Sequence, residues 1–173
     1  MKDFEQLLES DFEYIVLLDS HVGQLRSIMK YANAAHKKIL LHADLVHGLK
    51  SDEYAAEFLC QEIKPAGLIS TRTNIIHTAK KKGILAIQRL FLLDSIALET
   101  SFKQLKRSQP DYIEVLPGLV PHIIKEIKEV TGIPVLAGGL FVQKRMLKQL
   151  YHLVPKPLRL QEKIFGMFFN KSS

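Results

Sequence analysis

Six short apolar runs divide this chain, and each is followed by residues spaced for one face of a helix. The runs are Tyr14–Leu18, Lys38–His42, Ala66–Ser70, Gly83–Gln88, Tyr112–Leu116 and Pro134–Ala137. They are rich in Ile, Val and Leu and show no clean polar alternation, the pattern of strands covered on both faces. Successive runs begin about two dozen residues apart, the length of one strand–helix repeat in a β/α barrel. Alternation of this kind predicts parallel β/α units. A doubly wound sheet usually announces itself by a glycine-rich loop after its first strand, and none follows Leu18. The expected fold is therefore α/β, a (β/α) barrel.

Helix boundaries agree with this division. Asp19 and Ser20 precede Val22, Leu25, Ile28 and Met29. Ser51, Asp52 and Glu53 open the stretch bearing Ala55, Phe58, Leu59 and Ile63, and Asp94 with Ser95 opens the next. Side chains of these types cap helix N-termini. Pro121 suits a first helical turn. Lys64-Pro65 and Gln109-Pro110 fall between helix and strand, where proline stops a helix. Gly83 and Gly132 suit the residue just past a helix C-terminus.

Composition narrows the function classes. The chain has 173 residues and a single cysteine, Cys60, which excludes a disulfide framework and a multi-cysteine zinc site. No apolar run is long enough to span a bilayer, so no membrane association is expected, and the acidic amphipathic start MKDFEQLLES lacks a signal peptide's basic and apolar regions. A cytoplasmic location is expected. The formal net charge of +6 invites a nucleic-acid reading. Residues 1–140, however, hold 17 basic and 17 acidic residues, while residues 141–173 hold 7 basic residues against Glu162 alone. The tail carries all the excess, and the body's charge says nothing about its partners. Two regions follow: a barrel domain over 1–140 and an atypical basic tail over 141–173, expected to be poorly ordered. Lys80, Lys81 and Lys82 read most simply as a basic last helical turn.

Barrel ligands bind at the carboxyl ends of the strands. Those exits carry Asp19-Ser20, His42-Ala43-Asp44, Ser70-Thr71-Arg72, Gln88-Arg89, Glu114 and Gly138-Gly139. Arg72, Arg89 and the amides of Gly138 and Gly139 suit an anionic group, and Asp44 and Glu114 can accept from hydroxyls. Each has a plainer reading. Asp19 and Asp94 serve as helix caps, His42 as a hydrogen-bonded core histidine, and Arg72 as half of an ion pair. No histidine spacing suits a metal, and no nucleotide-binding or nucleophile motif occurs.

Five strings carry a resemblance. His42-Ala43-Asp44-Leu45-Val46-His47-Gly48-Leu49, Leu68-Ile69-Ser70-Thr71-Arg72, Gln88-Arg89-Leu90-Phe91-Leu92-Leu93-Asp94-Ser95, Ile113-Glu114-Val115-Leu116-Pro117-Gly118 and Ala137-Gly138-Gly139-Leu140 occur in this order. Together they resemble the glycerol-3-phosphate-responsive antiterminator family, regulators of the glycerol uptake operon. The resemblance covers about Lys2 to Leu140. It implies a cytoplasmic β/α barrel that is not an enzyme. Such a protein would need no cofactor, would bind glycerol 3-phosphate as effector, and would act on the mRNA leader of glycerol-catabolism genes to prevent premature termination. The implied ligand residues are His42, Asp44, Arg72, Gln88, Arg89, Glu114, Gly138 and Gly139, with phosphate near the last two. No RNA-contact motif can be matched residue by residue.

Two departures from the family pattern are expected to matter. The chain opens within what resembles the family's first helix, so the family's first strand is expected to be missing. After Leu140 the pattern ends. Codons compatible with Phe141–Gly166, read in the neighbouring frame, give an acid-opened helix (TKEDVKAAL), a glycine turn and a strand (KAVTTS) like the family's own C-terminus, which suggests a frameshift near Leu140. The expected barrel is thus incomplete, with its last β/α units replaced by the tail. The regulator could be impaired in this form. Alternatives are a barrel enzyme acting on a small phosphorylated metabolite, for which His42 and Asp44 at i, i+2 leave room, and a non-functional fragment.

Overall fold

The structure, a computed structural model, describes residues 2–91, 95–116 and 121–137. Helix α1 (Lys2–Glu9) leads to strand β1 (Tyr14–Leu17), a short strand β2 (Ser20–His21) and helix α2 (Leu25–Ala34). Strand β3 (Lys38–His42) is followed by a short strand β4 (Val46–His47) and helix α3 (Glu53–Phe58), which runs on into a π-helical turn over Leu59–Ile63. Then come β5 (Gly67–Ser70), α4 (Thr73–Lys81), β6 (Leu85–Phe91), α5 (Ser95–Ser108), β7 (Tyr112–Leu116), α6 (Pro121–Thr131) and β8 (Val135–Ala137).

Six strands form one parallel sheet in the order β1-β3-β5-β6-β7-β8, and β2 pairs with β4 in a separate two-stranded sheet. The main order follows the chain and never reverses. Right-handed crossovers then put every connecting helix on the same face, whereas a doubly wound sheet reverses at its switch point. The result is a mixed α/β fold with a curled, half-barrel parallel sheet.

All six expected strands are present, with shifted limits. The main change is in β6, which continues past Gln88 to Phe91 because β7 keeps pairing with it, Arg89 opposite Glu114 and Phe91 opposite Leu116. Arg89 and Glu114 therefore lie inside the sheet, not at strand exits. The segment after β1 also differs from the expected helix opening. Ser20 and His21 pair with Val46 and His47. The His21 ring, and not Asp19, accepts from the backbone N–H of Gly23 at 3.2 Å. Asp19 instead meets the Nε2 of His47 at 2.9 Å.

Other punctuation acts as expected. Asp52 caps α3 by accepting from the N–H of Ala55 at 2.9 Å. Lys64 and Gln109, each before a proline, take left-handed φ values of 55° and 45° and end their helices. Gly83 at φ 75° closes α4 without strain. Lys80 pairs with Asp111 and Lys82 with Glu57, so two of the three consecutive lysines are engaged within the fold.

Alternation along the strands divides the core in two. Ile15, Ile39, Leu41, Leu68 and Ala86 face the helices and pack on Leu25, Ala32, Ala56, Leu59, Cys60, Ile75, Ile76 and Ala79. Leu90, Ile113, Val115 and Val135 continue that face against Leu105 and Ile127. Burial pushes the Cys60 thiol up to about 11, so it remains a protonated apolar filler. Leu40, Ile69, Ile87 and Leu136 form a separate cluster on the opposite, interior face, flanked by Tyr14, Val16, Leu85 and Tyr112.

Gly67 marks the tightest point of that face. A Cβ there would lie 2.8 Å from the Leu85 carbonyl oxygen and 2.9 Å from Leu40 Cδ2. Overpacking of this kind costs about 1–3 kcal/mol. Gly67→Ala is expected to lower the thermal midpoint accordingly, and a variant melting with the parent would contradict this packing.

Candidate functional site

Toward the carboxyl ends of its strands the interior face carries buried polar side chains. In register, His42 lies beside Ile69 of β5, and Ile69 beside Ile87 of β6. Two residues further along β6, Arg89 lies beside Glu114 of β7, which lies beside Leu136 of β8. The interior is thus an apolar floor, built from Leu40, Ile69, Ile87 and Leu136, topped by His42, Arg89 and Glu114.

The guanidinium of Arg89 donates to both oxygens of Glu114, Nε to Oε2 at 2.6 Å and Nη2 to Oε1 at 3.1 Å. This fork geometry is the strong form of a carboxylate–guanidinium pair. The side chains are only 9% and 4% exposed, so both charges are withdrawn from water.

His42 is 3% exposed, and neither ring nitrogen has a hydrogen-bond partner among the described residues. Buried polar groups are nearly always satisfied, and an orphaned ring in a core is costly. Burial, with the positive charge of Arg89 adding to it and Asp44 opposing, lowers its pKa from 6.5 to about 4. The ring is neutral at physiological pH, offering one N–H donor and one lone pair.

Asp44, in the turn after β3, is fully occupied by β5. Its Oδ1 accepts from the Ser70 hydroxyl at 2.5 Å, and its Oδ2 accepts from the Thr71 N–H and hydroxyl, each at 2.8 Å. Ser70 Oγ in turn accepts from the N–H of Arg72 at 3.0 Å. Asp44 thereby ties the exit of β3 to the exit of β5. It makes no hydrogen bond to His42, so the histidine–carboxylate pair considered for an enzyme does not form.

Gln88 stands apart from the other candidates. Its register with Ser70 and Ile113 puts it on the helix-covered face, opposite to Arg89. There its Nε2 donates to the Thr71 carbonyl at 2.9 Å, while its buried Oε1 has no partner among the described residues. Arg72, at the N-cap of α4, is exposed and forms no ion pair among the described residues. Gly138 and Gly139, and the tail from 141 onward, lie outside the described residues. The structure therefore brings His42, Arg89 and Glu114 onto one face, sets Asp44 and Arg72 at its rim, and sends Gln88 to the other side.

Three residues noted at strand exits were not among the expected ligand residues. Ser70 and Thr71 hold Asp44, a role that a serine–threonine pair at a strand exit could have suggested. Ser20 has a buried hydroxyl without a partner among the described residues. Its place after β1 was visible in the sequence, but a two-residue strand leaves no periodic signal. Among the described residues, no cluster of His, Cys, Asp or Glu could hold a metal ion, and no helix is long and apolar enough to cross a membrane.

These contacts have measurable consequences. Removing one partner of a buried ion pair strands the other charge at a cost of about 3–5 kcal/mol, while replacing both with apolar groups costs far less. Arg89→Met alone is expected to destabilise the fold by that amount in denaturant titration, and Arg89→Met with Glu114→Leu to recover most of the loss. Equal losses in the single and double variants would contradict the pairing.

His42 adds a pH dependence. The unfolded chain binds its proton near 6.5 and the folded one near 4, so stability is full above 6.5 and falls as pH drops through that window. The loss amounts to up to about 3 kcal/mol. His42→Phe should flatten this slope in chemical denaturation between pH 7 and 4, and an unchanged slope would show that the ring does not titrate this way.

The chain's relatives agree with the geometry in their architecture. The family model for the glycerol-3-phosphate responsive antiterminator matches residues 1–153. A glycerol uptake operon antiterminator regulatory protein from Listeria monocytogenes has a crystal structure that superposes with a TM-score of 0.84 at 49% identity, covering 87% of this chain and 82% of that one. A glycerol uptake operon antiterminator-related protein from Thermotoga maritima superposes with a TM-score of 0.77 at 28% identity, covering 89% and 86%. The Escherichia coli K12 protein YgcP, itself uncharacterized, is 33% identical over 133 residues, 77% of this chain and 70% of that protein. The chain belongs to the glycerol-3-phosphate responsive antiterminator family, a family of regulators and not of enzymes.

Proposed function

We propose that this protein binds glycerol 3-phosphate at the carboxyl ends of its parallel strands. Binding lets it act on the mRNA leader of glycerol-catabolism genes so that transcription passes a terminator. The sheet is part of a TIM-type (β/α) barrel, whose ligand sites lie at that end. The observation that carries the reading is His42, a neutral, buried ring whose nitrogens have no partner among the described residues, set on an interior face beside a sequestered Arg89–Glu114 pair. A fold gains nothing from such groups unless a ligand completes them.

His42, Arg89 and Glu114 form the floor of the site, and Asp44 and Arg72 its rim. Gln88 acts from behind by holding the Thr71 carbonyl. Gly138 and Gly139 follow β8 in the sequence, and their amides remain proposed as further donors to the phosphate. The effector is a small ligand and no cofactor is required. The protein works in the cytoplasm, where its mRNA partner is made.

The test is transcription in vitro from a template carrying a terminator in a glycerol-operon leader. With this protein present, glycerol 3-phosphate is expected to raise readthrough several-fold, and glycerol or inorganic phosphate alone is not. Readthrough indifferent to glycerol 3-phosphate would contradict the proposal.

A further inference from the structure

We infer that the ligand enters with its hydroxyl end down, against His42 and Glu114, and leaves its phosphate at the rim beside Arg72. The inference rests on the ligand site proposed above and assigns its polarity. It also reverses the obvious role of Arg89, a buried arginine that would ordinarily be taken as the phosphate grip.

Arg89 is already neutralised. Its Nε and Nη2 are spent on the two oxygens of Glu114, with both side chains withdrawn from water. A phosphate dianion placed there would have to face the Glu114 carboxylate at the same depth, and like charges in a desolvated site repel strongly. The pair is electrically balanced and keeps capacity on both sides, because a carboxylate offers about four lone-pair directions of which Arg89 uses two, and the guanidinium gives Glu114 two of its five N–H donors. Hydroxyl hydrogens complement what remains.

His42 points the same way. A neutral imidazole has one donor and one acceptor, and here neither is filled by any of the described residues. A hydroxyl group also has a donor and acceptors, and so can satisfy the ring in either tautomer. A phosphate dianion supplies acceptors only and would leave the ring's lone pair facing negative charge. The nearby carboxylate of Asp44 is no competitor for the ring, since Ser70 and Thr71 occupy it. Arg72 is the complement: exposed, at the exit of β5, and without an ion pair among the described residues. An exposed, unpaired guanidinium can meet a phosphate that keeps part of its hydration.

Calorimetry on the full chain with two ligands tests this, glycerol 3-phosphate and propyl phosphate, which carries the same dianion but no hydroxyl. The wild-type protein is expected to bind glycerol 3-phosphate about tenfold or more tightly than propyl phosphate. His42→Phe should cut that preference several-fold, by weakening glycerol 3-phosphate more than propyl phosphate, and Arg72→Gln should weaken both ligands by a similar factor. Equal wild-type affinities for the two esters overturn the inference without recourse to any variant. So does a preference undiminished by His42→Phe, or an Arg72→Gln protein that binds both esters as the parent does. If glycerol 3-phosphate fails to bind the wild-type chain at all, the ligand site itself falls and the inference with it. Tight binding with the wrong preference sinks the inference alone.

Discussion

Arg89 and Glu114 sit side by side in the interior of a parallel sheet, and the register of β6 on β7 puts them there. Removing two charges from water is expensive, and the attraction between them offsets that cost only when the geometry is close to ideal. Here it is a two-point fork at 2.6 and 3.1 Å. A pair of this kind adds little stability beyond what apolar side chains of the same volume would give. Its presence makes sense as a constraint on what else can occupy that depth. It balances two charges within the paired segment of β6 and β7, and the charge of Arg89 adds to burial in keeping His42 unprotonated.

The topology explains why these groups are available to a ligand. A strand order that never reverses sends all crossover helices to one face. Among the described residues the other face is covered by its own side chains, Leu40, Ile69, Ile87 and Leu136. On the same face the alternation puts His42 in register with Ile69, and Arg89 in register with Glu114, which is level with Leu136. Asp44 keeps the rim in shape by tying the turn after β3 to the start of the loop after β5. Stability and recognition are thus stacked along the same strands, apolar below and polar above.

Much of this was legible in the sequence. Unbroken Ile/Val/Leu runs at β/α spacing located all six strands of the main sheet, and the prolines after Lys64 and Gln109 marked true helix ends. What escaped was decided by tertiary pairing. Nothing in the string Gln88-Arg89-Leu90-Phe91 shows that β6 outlasts its apolar core, because that length depends on a partner about two dozen residues away in β7. The face of Gln88 followed from the same register, and a one-residue alternation sent it behind the sheet. Asp19 looked like a helix cap because the two-residue pairing of β2 with β4 has no periodicity to read. Strand-end polarity put His42, Arg89 and Glu114 among eight candidates, but only the structure shows that the histidine has no partner among the described residues and that the other two pair with each other.

The most direct measurement is nuclear magnetic resonance of the histidine ring nitrogens while glycerol 3-phosphate is added. His42, buried on the interior face, and His77, exposed on α4, report on the two environments. The His42 nitrogens are expected to shift as its orphaned donor and acceptor are filled, with His77 unmoved. Saturable binding that leaves His42 unchanged would place the ligand elsewhere and remove the basis for a site at this end of the sheet.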